Sequence, residues 1–360
     1  MTATTPFAFA GEKTATASRA VGFWLLGCCA MVLAMAVIGA ITRLTESGLS
    51  IMEWAPISGA LPPLSQSEWQ RLFDLYRQIP EYQQVNAGMS LAEFKTIFWW
   101  EYIHRLWGRL IGLVFALPFL WFWWRGRLDR RLTRLLLVAL LLGALQGALG
   151  WFMVASGFGD RTDVSQYRLV AHLGLALVIY GYLFWLALGQ FWPRPERSRD
   201  PAATSLRRGC LVVLALVSVT IVSGGFVAGL NAGLIYNSFP LMDGDLVPAG
   251  YGMLSPWFLN LFENHAAVQF NHRLLAIVTV VLSLAIWLWS LRLDLPPAVQ
   301  GGFALLAILA LLQMALGIVT LLLVVPIWAA ALHQAGAILV LTAILWCLYH
   351  LRLRKPAQPS

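Results

Sequence analysis

Charged side chains are scarce in this 360-residue chain: they make up 12% of it, whereas 59% of the residues are hydrophobic. A soluble domain carries about 25% charged residues, so the composition excludes an ordinary soluble protein. Apolar stretches of about 20 residues, the length that crosses a bilayer, recur along the chain. Because a backbone inside a bilayer must satisfy its own hydrogen bonds, these stretches predict membrane-spanning helices.

Cysteine is also scarce, and all four cysteines lie within apolar stretches: Cys28, Cys29, Cys210 and Cys347. A disulfide in a loop on the oxidising side of a membrane is therefore not expected. The first 20 residues lack an apolar core, which argues against a cleavable signal peptide, and one Arg and one Lys are few for a transit peptide. These features favour the inner membrane of a bacterium over that of an organelle.

Eight apolar stretches predict an all-α membrane protein with eight transmembrane helices. Their approximate bounds are 21–41, 97–124, 135–155, 169–190, 210–230, 267–291, 301–325 and 329–351. The predicted organisation is a tail (1–20), an N-terminal half (21–190), a linker (191–209), a C-terminal half (210–351) and a second tail (352–360). Each half is expected to be a four-helix bundle.

The net charge of +8 is concentrated on one side of this arrangement. The tails and the segments 125–134 and 193–208 contribute most of a balance of +11 on that side, against −5 on the other. The positive-inside rule makes the basic side cytoplasmic, together with both termini. The arginines thus indicate membrane topology and lipid contact, and we expect no nucleic acid as a partner.

The two predicted halves repeat short motifs in the same order. The matching segments are 146–150 with 313–317, 104–106 with 272–274, and 48–49 with 233–234. Each half has an even number of spans, so both halves keep one orientation and are expected to be related by an axis along the membrane normal. The sequence therefore predicts two pseudo-symmetric bundles.

Four of the six histidines occupy matching places, one on each even-numbered span: His104, His172, His272 and His333. Each lies one or two turns from the outer end of its span, so all four share one depth. Ionisable residues within a membrane are costly and are functional by default. Two facing imidazoles suit a haem iron, whereas zinc needs a third and a fourth ligand that the odd-numbered spans do not supply.

Charged residues accompany these histidines. Arg105 and Arg273 each follow a histidine and are candidate partners for haem propionates, with simple snorkelling to the interface as the alternative. Glu101 precedes His104 by one turn, whereas the matching residue of the C-terminal half is Gln269. Since a carboxylate can move protons and an amide cannot, the N-terminal half is the candidate reactive site. Alternatively, Glu101 only orients His104 or neutralises an arginine.

The first outer loop contains apolar side chains at helical spacing between 69 and 76, ended by Pro80. This pattern predicts a short helix lying on the membrane surface. Ser90 with Glu93 is typical of a capping box that opens the second span.

Three segments resemble the signatures of the haem A synthase family: 101–109 (EYIHRLWGR), 271–273 (NHR) and 333–336 (HQAG). The family oxidises a ring methyl group of haem O to a formyl group, which gives haem A for terminal oxidases, and contains haem b as cofactor. By position, the resemblance implies that His272 and His333 ligate haem b. It also implies that His104 and His172 hold the substrate haem, with Glu101 at the reactive end.

The absence of cysteine from the outer loops places the chain near the cysteine-free branch of that family, which includes alphaproteobacterial and mitochondrial enzymes. The resemblance implies a haem O synthase, an electron donor (ferredoxin-like or a quinol) and a second copy of the chain as partners. A di-haem b electron carrier linked to quinol is the alternative function, although its ligands would lie at two depths. A transporter is a third interpretation, since internal repeats are common there.

Overall fold

The computed structural model of the chain describes residues 18–55, 58–159, 161–192 and 201–351, and these residues form ten α-helices. The helices are Arg19–Leu44 (α1), Gln66–Tyr76 (α2), Pro80–Gln84 (α3), Leu91–Trp124 (α4), Arg130–Val154 (α5), Gln166–Phe191 (α6), Pro201–Gly229 (α7), His265–Ser290 (α8), Pro297–Leu322 (α9) and Ile327–His350 (α10). Eight of these, α1 and α4–α10, are long and apolar enough to cross a membrane. The all-α membrane fold with eight spans is thus confirmed. Residues 1–17 of the first tail, 193–200 of the linker and the whole second tail lie outside the described residues.

All eight spans begin earlier than their apolar content suggested, and polar caps set the first turns of α4 and α5. The capping box that opens α4 is confirmed: the Glu93 amide donates to Ser90 Oγ at 3.3 Å, and the Ser90 amide donates to Glu93 Oε2 at 2.7 Å. Asp129 caps α5 by accepting from the Leu132 amide at 2.6 Å. These caps satisfy backbone donors that would otherwise be orphaned, so α4 starts at 91 and α5 at 130.

The spanning helices pack unevenly along their length. We call the end of the bundle that carries the long loops 45–90 and 230–264 the outer end, and the opposite end the inner end. The largest buried apolar cluster lies at the inner end, and it includes the thiols of Cys28, Cys29, Cys210 and Cys347, which are all free. Helices α1, α6, α7 and α10 are central, and the other four flank them. The outer end contains a second, smaller apolar cluster around α2 and the start of α4, together with the polar residues discussed below.

Matching contacts relate the two halves. Arg105 of α4 donates to the carbonyls of Ile51 and Glu53, and Arg273 of α8 donates to those of Tyr236 and Ser238. The accepting residues are 185 positions apart in the chain, as are the glycines of the repeated loop motif. Each half therefore fastens its outer loop to its second span in the same way.

Arg43 and Gln334 make polar contacts that join the halves across the bundle. Arg43 at the end of α1 donates to the Ala228 carbonyl at 3.1 Å and to Asn231 Oδ1 at 2.8 Å. Gln334, next to His333 on α10, donates to the Ala36 carbonyl of α1 at 2.8 Å. Both lie in the outer part of the bundle, where the histidines are.

The short helix predicted between 69 and 76 is confirmed, although its apolar face packs on protein. This helix, α2, buries that face against the start of α4: the rings of Trp69 and Phe98 are 4.8 Å apart, and Tyr76 is fully buried beside Phe94. Helical spacing identified the apolar face but not what covers it, and aromatic side chains of α4 offered closer packing than lipid.

Reporter fusions test the predicted orientation. Fusions within 42–96 and 231–266 are expected to report the outer side of the membrane, and fusions within 125–134 and 193–208 the cytoplasm, because of the +11 against −5 charge distribution. The measurement compares the activity of two reporter proteins fused at each position, one active only outside the membrane and one active only in the cytoplasm. A cytoplasmic signal from either long loop would contradict the orientation.

Glu81 of α3 gives the outer loop a pH dependence. It is 5% exposed and accepts from the Tyr76 hydroxyl at 3.2 Å. Burial raises the pKa of Glu81 from 4.5 to about 8, with smaller upward contributions from Glu101 and Glu46 and a downward one from Arg43. Since the folded state binds this proton more tightly, its contribution to stability is complete below about pH 4.5 and is lost as the pH rises towards 8.

We therefore expect Glu81→Gln to melt at a higher temperature than the unmodified chain at pH 8, and the difference to shrink towards pH 5. The loss amounts to a few kcal/mol at most, at about 1.4 kcal/mol per pKa unit. Thermal unfolding across this pH range provides the measurement. Asp74→Asn, at an exposed residue of α2, serves as the control and should not change the slope.

Candidate functional site

The four span histidines come together in pairs at the outer end, as their common depth predicted. His272 of α8 faces His333 of α10 with ring centres 6.4 Å apart and planes at 89°. An iron with a bond of about 2 Å to each imidazole requires ring centres on the order of 6 Å apart. The C-terminal pair therefore has the spacing of a bis-histidine haem. His104 of α4 and His172 of α6 are close enough to interact electrostatically.

Each of these imidazoles rests on a glycine of the preceding spanning helix. A Cβ added to the glycine would lie close to the ring Cε1 in every case: 3.1 Å at Gly39 (His104), 2.9 Å at Gly150 (His172), 3.0 Å at Gly224 (His272) and 2.7 Å at Gly317 (His333). Contacts under about 3 Å force a shift, so a larger residue would displace the ring. The repeated motifs 146–150 and 313–317 end on two of these glycines, which is the only sign of them in the sequence.

Gly317→Ala is expected to move His333 and to weaken or alter haem ligation in the C-terminal half. The reason is the 2.7 Å approach of the new methyl group to the imidazole. The measurement is the low-spin haem spectrum of purified protein. Gly301→Ala is the control on the same helix, since nothing lies within 4 Å of its added Cβ. An unchanged spectrum for Gly317→Ala would show that the ring is free to move.

The hydrogen bonds around the histidines differ between the halves. In the C-terminal half, Ser223 Oγ is 2.8 Å from His272 Nδ1, and Gln313 Nε2 is 3.1 Å from His333 Nδ1. In the N-terminal half, Gln146 Nε2 lies 3.3 Å from His172 Nε2. The second ring nitrogen of His172, Nδ1, is buried and has no hydrogen-bond partner in the part of the chain described. The ring of His104 is not in a hydrogen bond with any described residue. The C-terminal imidazoles are thus held more firmly.

Both glutamines of the repeat also hold the histidine backbone. Gln146 Nε2 donates to the His172 carbonyl at 3.0 Å, and Gln313 Nε2 donates to the His333 carbonyl at 2.7 Å. Sequence reasoning noted these glutamines only as part of the repeat and did not assign them to the site.

Glu101 is 3% exposed and occupies all four of its acceptor positions. It accepts from Ser50 Oγ (2.8 Å), the Ile51 amide (2.8 Å), and Arg105 Nε (2.9 Å) and Nη2 (2.6 Å). The carboxylate therefore pairs with Arg105 and fixes the loop. This is the neutralisation of an arginine that the sequence left open as an alternative, and it does not exclude chemistry at the same group.

Gln269 occupies the matching position, but it donates hydrogen bonds to its loop, whereas Glu101 accepts them. Its Nε2 donates to the Ala232 and Ile235 carbonyls at 2.6 Å, and its Oε1 accepts from Arg273 at 2.7 Å. Arg273 keeps a buried Nε that has no partner among the described residues. It forms no ion pair there, although Asp243 acts on it electrostatically. A positive charge with one spare donor therefore remains in the C-terminal half.

The flanking helices also differ between the halves. Helices α8 and α9 pack closely against each other, whereas their counterparts α4 and α5 make few contacts. The apolar side chains of α4 and α5 are largely exposed, including Leu113, Leu117 and Leu141. The N-terminal half is thus more open towards the lipid than the C-terminal half.

The remaining histidines lie apart from these pairs. His265 is exposed at the start of α8, and His350 stacks on Trp346 at the inner end with ring centres 4.0 Å apart. Among the described residues, no three His, Cys, Asp or Glu side chains converge as they would in a zinc site. The arrangement is one of facing imidazole pairs.

Known proteins are similar in sequence to most of the chain. A family of cytochrome oxidase assembly proteins, COX15-CtaA, matches residues 22–345. A Heme A synthase of Rhodospirillum centenum is 54% identical over 97% of this chain and 92% of its own length. Those of Nitrosospira multiformis and Nitrosomonas eutropha are each 52% identical, over 93% and 91% of this chain and 94% and 92% of their own lengths.

Proposed function

Because the chain belongs to the COX15-CtaA family, together with the haem A synthases, we propose that its two halves divide the work of one reaction. The chain is an oxidoreductase that converts haem O to haem A by oxidising a ring methyl group to a formyl group. In the proposal, the N-terminal half binds haem O and the C-terminal half holds haem b. Family membership favours this function over a di-haem electron carrier.

The observation that carries the division is the difference in hydrogen bonding at the histidines. A partner on the second imidazole nitrogen fixes a ligand and raises its basicity. His272 has an oxygen acceptor of this kind in Ser223 Oγ, which suits a permanently bound haem b. The amide nitrogen of Gln313 at His333 Nδ1 is a donor, so it holds the ring in place without raising its basicity. The less constrained pair His104 and His172 suits a haem that must enter and leave. Bound haem b would supply a one-electron redox centre.

The charges support the same division. Arg273 has a buried, spare Nε, so it is the proposed partner of a haem b propionate. Arg105 has the matching role in the N-terminal half, but Glu101 cancels its charge at 2.6 Å. A propionate there would meet a charge that a buried carboxylate already balances, so it would be held less tightly.

Glu101 is the proposed catalytic residue, since a carboxylate can accept a proton or stabilise a developing positive charge, whereas the amide of Gln269 at the matching position cannot. All four of its acceptor positions are occupied, so proton uptake requires one contact to open. The exposed apolar sides of α4 and α5 are the proposed route for haem O, which is apolar enough to arrive from the bilayer.

The surrounding assignments follow the family. We infer a bacterial inner membrane with cytoplasmic termini, a haem O synthase as the source of substrate, and a ferredoxin-like protein or a quinol as electron donor. Association into a homo-oligomer belongs to the same proposal.

Chromatography of the haems extracted from purified protein tests the proposed function. A synthase should yield haem b together with some haem O or haem A. Haem b alone would point to an electron carrier, and the lack of stoichiometric haem would overturn both functions in favour of a transporter.

A further inference from the structure

The single proton of the Ser223 hydroxyl is used in a hydrogen bond along its own helix. Ser223 Oγ donates its proton to the Thr220 carbonyl at 2.7 Å, one turn earlier on α7. A hydroxyl has a single proton, so Ser223 Oγ can only accept from His272 Nδ1, which is 2.8 Å away. The Nδ1 atom must therefore carry hydrogen, and Nε2 is left bare.

Thr220, whose carbonyl accepts from Ser223, is itself held in place by hydrogen bonds. Thr220 is held in turn by its own side chain, which donates to the Leu216 carbonyl and contacts Thr279 Oγ1 of α8 at 2.8 Å. The helix that carries Ser223 is thereby tied to the helix that carries His272. The imidazole also rests on Gly224, the neighbour of Ser223, so its tautomer and its position are both set by α7.

The N-terminal half has no equivalent of this serine. His104 rests on Gly39 as His272 rests on Gly224, and the two glycines are 185 positions apart, the spacing that relates the outer loops. The residue before Gly39 is Ile38, at the place of Ser223. An isoleucine side chain cannot accept a hydrogen bond, and the His104 ring makes none with any residue that the structure describes.

We propose that Ser223 is a positioning residue that fixes His272 for permanent iron ligation, and that Ile38 at the matching place leaves His104 an exchangeable ligand. This rests on the proposed function, because it assumes haem b at His272 and substrate haem at His104. Loss of a partner of this kind typically weakens metal binding about 10–100-fold. A poorer imidazole donor also stabilises ferric iron less, so the reduction potential of haem b should rise.

The first test compares variants at Ser223 in the full-length protein. Ser223→Ala is expected to raise the haem b midpoint potential and to speed haem transfer to apomyoglobin by about 10–100-fold. Ser223→Thr keeps the hydroxyl and should stay close to the unmodified protein. Ser218→Ala removes an exposed hydroxyl that bonds the Leu214 carbonyl on the same helix, and it should change neither quantity.

The second test places a hydroxyl beside His104. Ile38→Thr and Ile38→Val have nearly the same shape and differ in the hydroxyl, so Ile38→Thr should release the haem of the N-terminal half more slowly. Equal release by these two variants, or an unchanged potential and transfer rate in Ser223→Ala, would overturn the inference. Should Ser223→Ala not fold, the Ile38 pair still decides it. An unmodified protein without low-spin bis-histidine haem b would overturn the proposed function instead.

Discussion

His272→Ala and His333→Ala are each expected to abolish tight binding of haem b. The two imidazoles face each other with ring centres 6.4 Å apart, so removal of one would leave a bound haem with a single protein ligand. The measurement is the absorption spectrum and haem content of the purified variants. We expect the low-spin bis-histidine signal to disappear in both.

His265→Ala is the matched control, since His265 is an exposed histidine at the start of the same helix as His272. It should retain the full signal. Retention of that signal in both His272→Ala and His333→Ala would contradict the placement of haem b in the C-terminal half.

Glu101→Gln is expected to collapse haem A production while haem b stays in place. Removing a positioned acid or base typically costs about 10²–10⁴-fold in rate. The substitution has a structural side as well, because the new amide group would face two donors, Ser50 Oγ and the Ile51 amide, and Arg105 would lose its counter-charge. The measurement is chromatography of haems from cells that make haem O, with haem O or a partly oxidised haem expected to accumulate.

Two comparisons separate the chemical role of Glu101 from its structural one. Glu81→Gln removes another buried carboxylate of the outer end and should leave haem A production nearly unchanged. Glu101→Asp keeps the charge and should recover part of the activity. Near-normal haem A from Glu101→Gln would show that the carboxylate only holds Arg105 and the loop.

The sequence was sufficient to predict features that depend on local chemistry. Eight spans followed from apolar length, and the common depth of the histidines followed from their distance to the span ends. The start of α4 was misplaced by six residues because its first turn is polar, although the capping box at Ser90 marked it. Hydropathy identifies the part of a helix that lies in lipid, but it does not identify polar first turns that are stabilised by hydrogen-bonded caps.

Partners across helices could not be predicted, because they depend on how each helix is rotated against its neighbours. Ser223 is one small polar residue among several on α7, and only its contact with His272 distinguishes it. Likewise, the carbonyls that Arg105 and Arg273 bind belong to loop backbone, which has no side-chain signature. The repeat was the sole guide, and it pointed to Gln146 and Gln313 without saying what they contact.

The concentration of buried apolar side chains at the inner end has a mechanical consequence. Interlocked side chains there leave the helices little freedom. At the depth of the histidines the helices meet through glycine–imidazole contacts and hydrogen bonds, and the apolar cluster of the outer end packs α2 and its loop on α4 within the N-terminal half alone. We therefore expect local stability to fall from the inner end to the depth of the histidines. A small change of helix tilt about the tightly packed inner end would therefore produce a larger displacement at the depth of the histidines. The largest displacement is expected between α4 and α5, which make few contacts with each other.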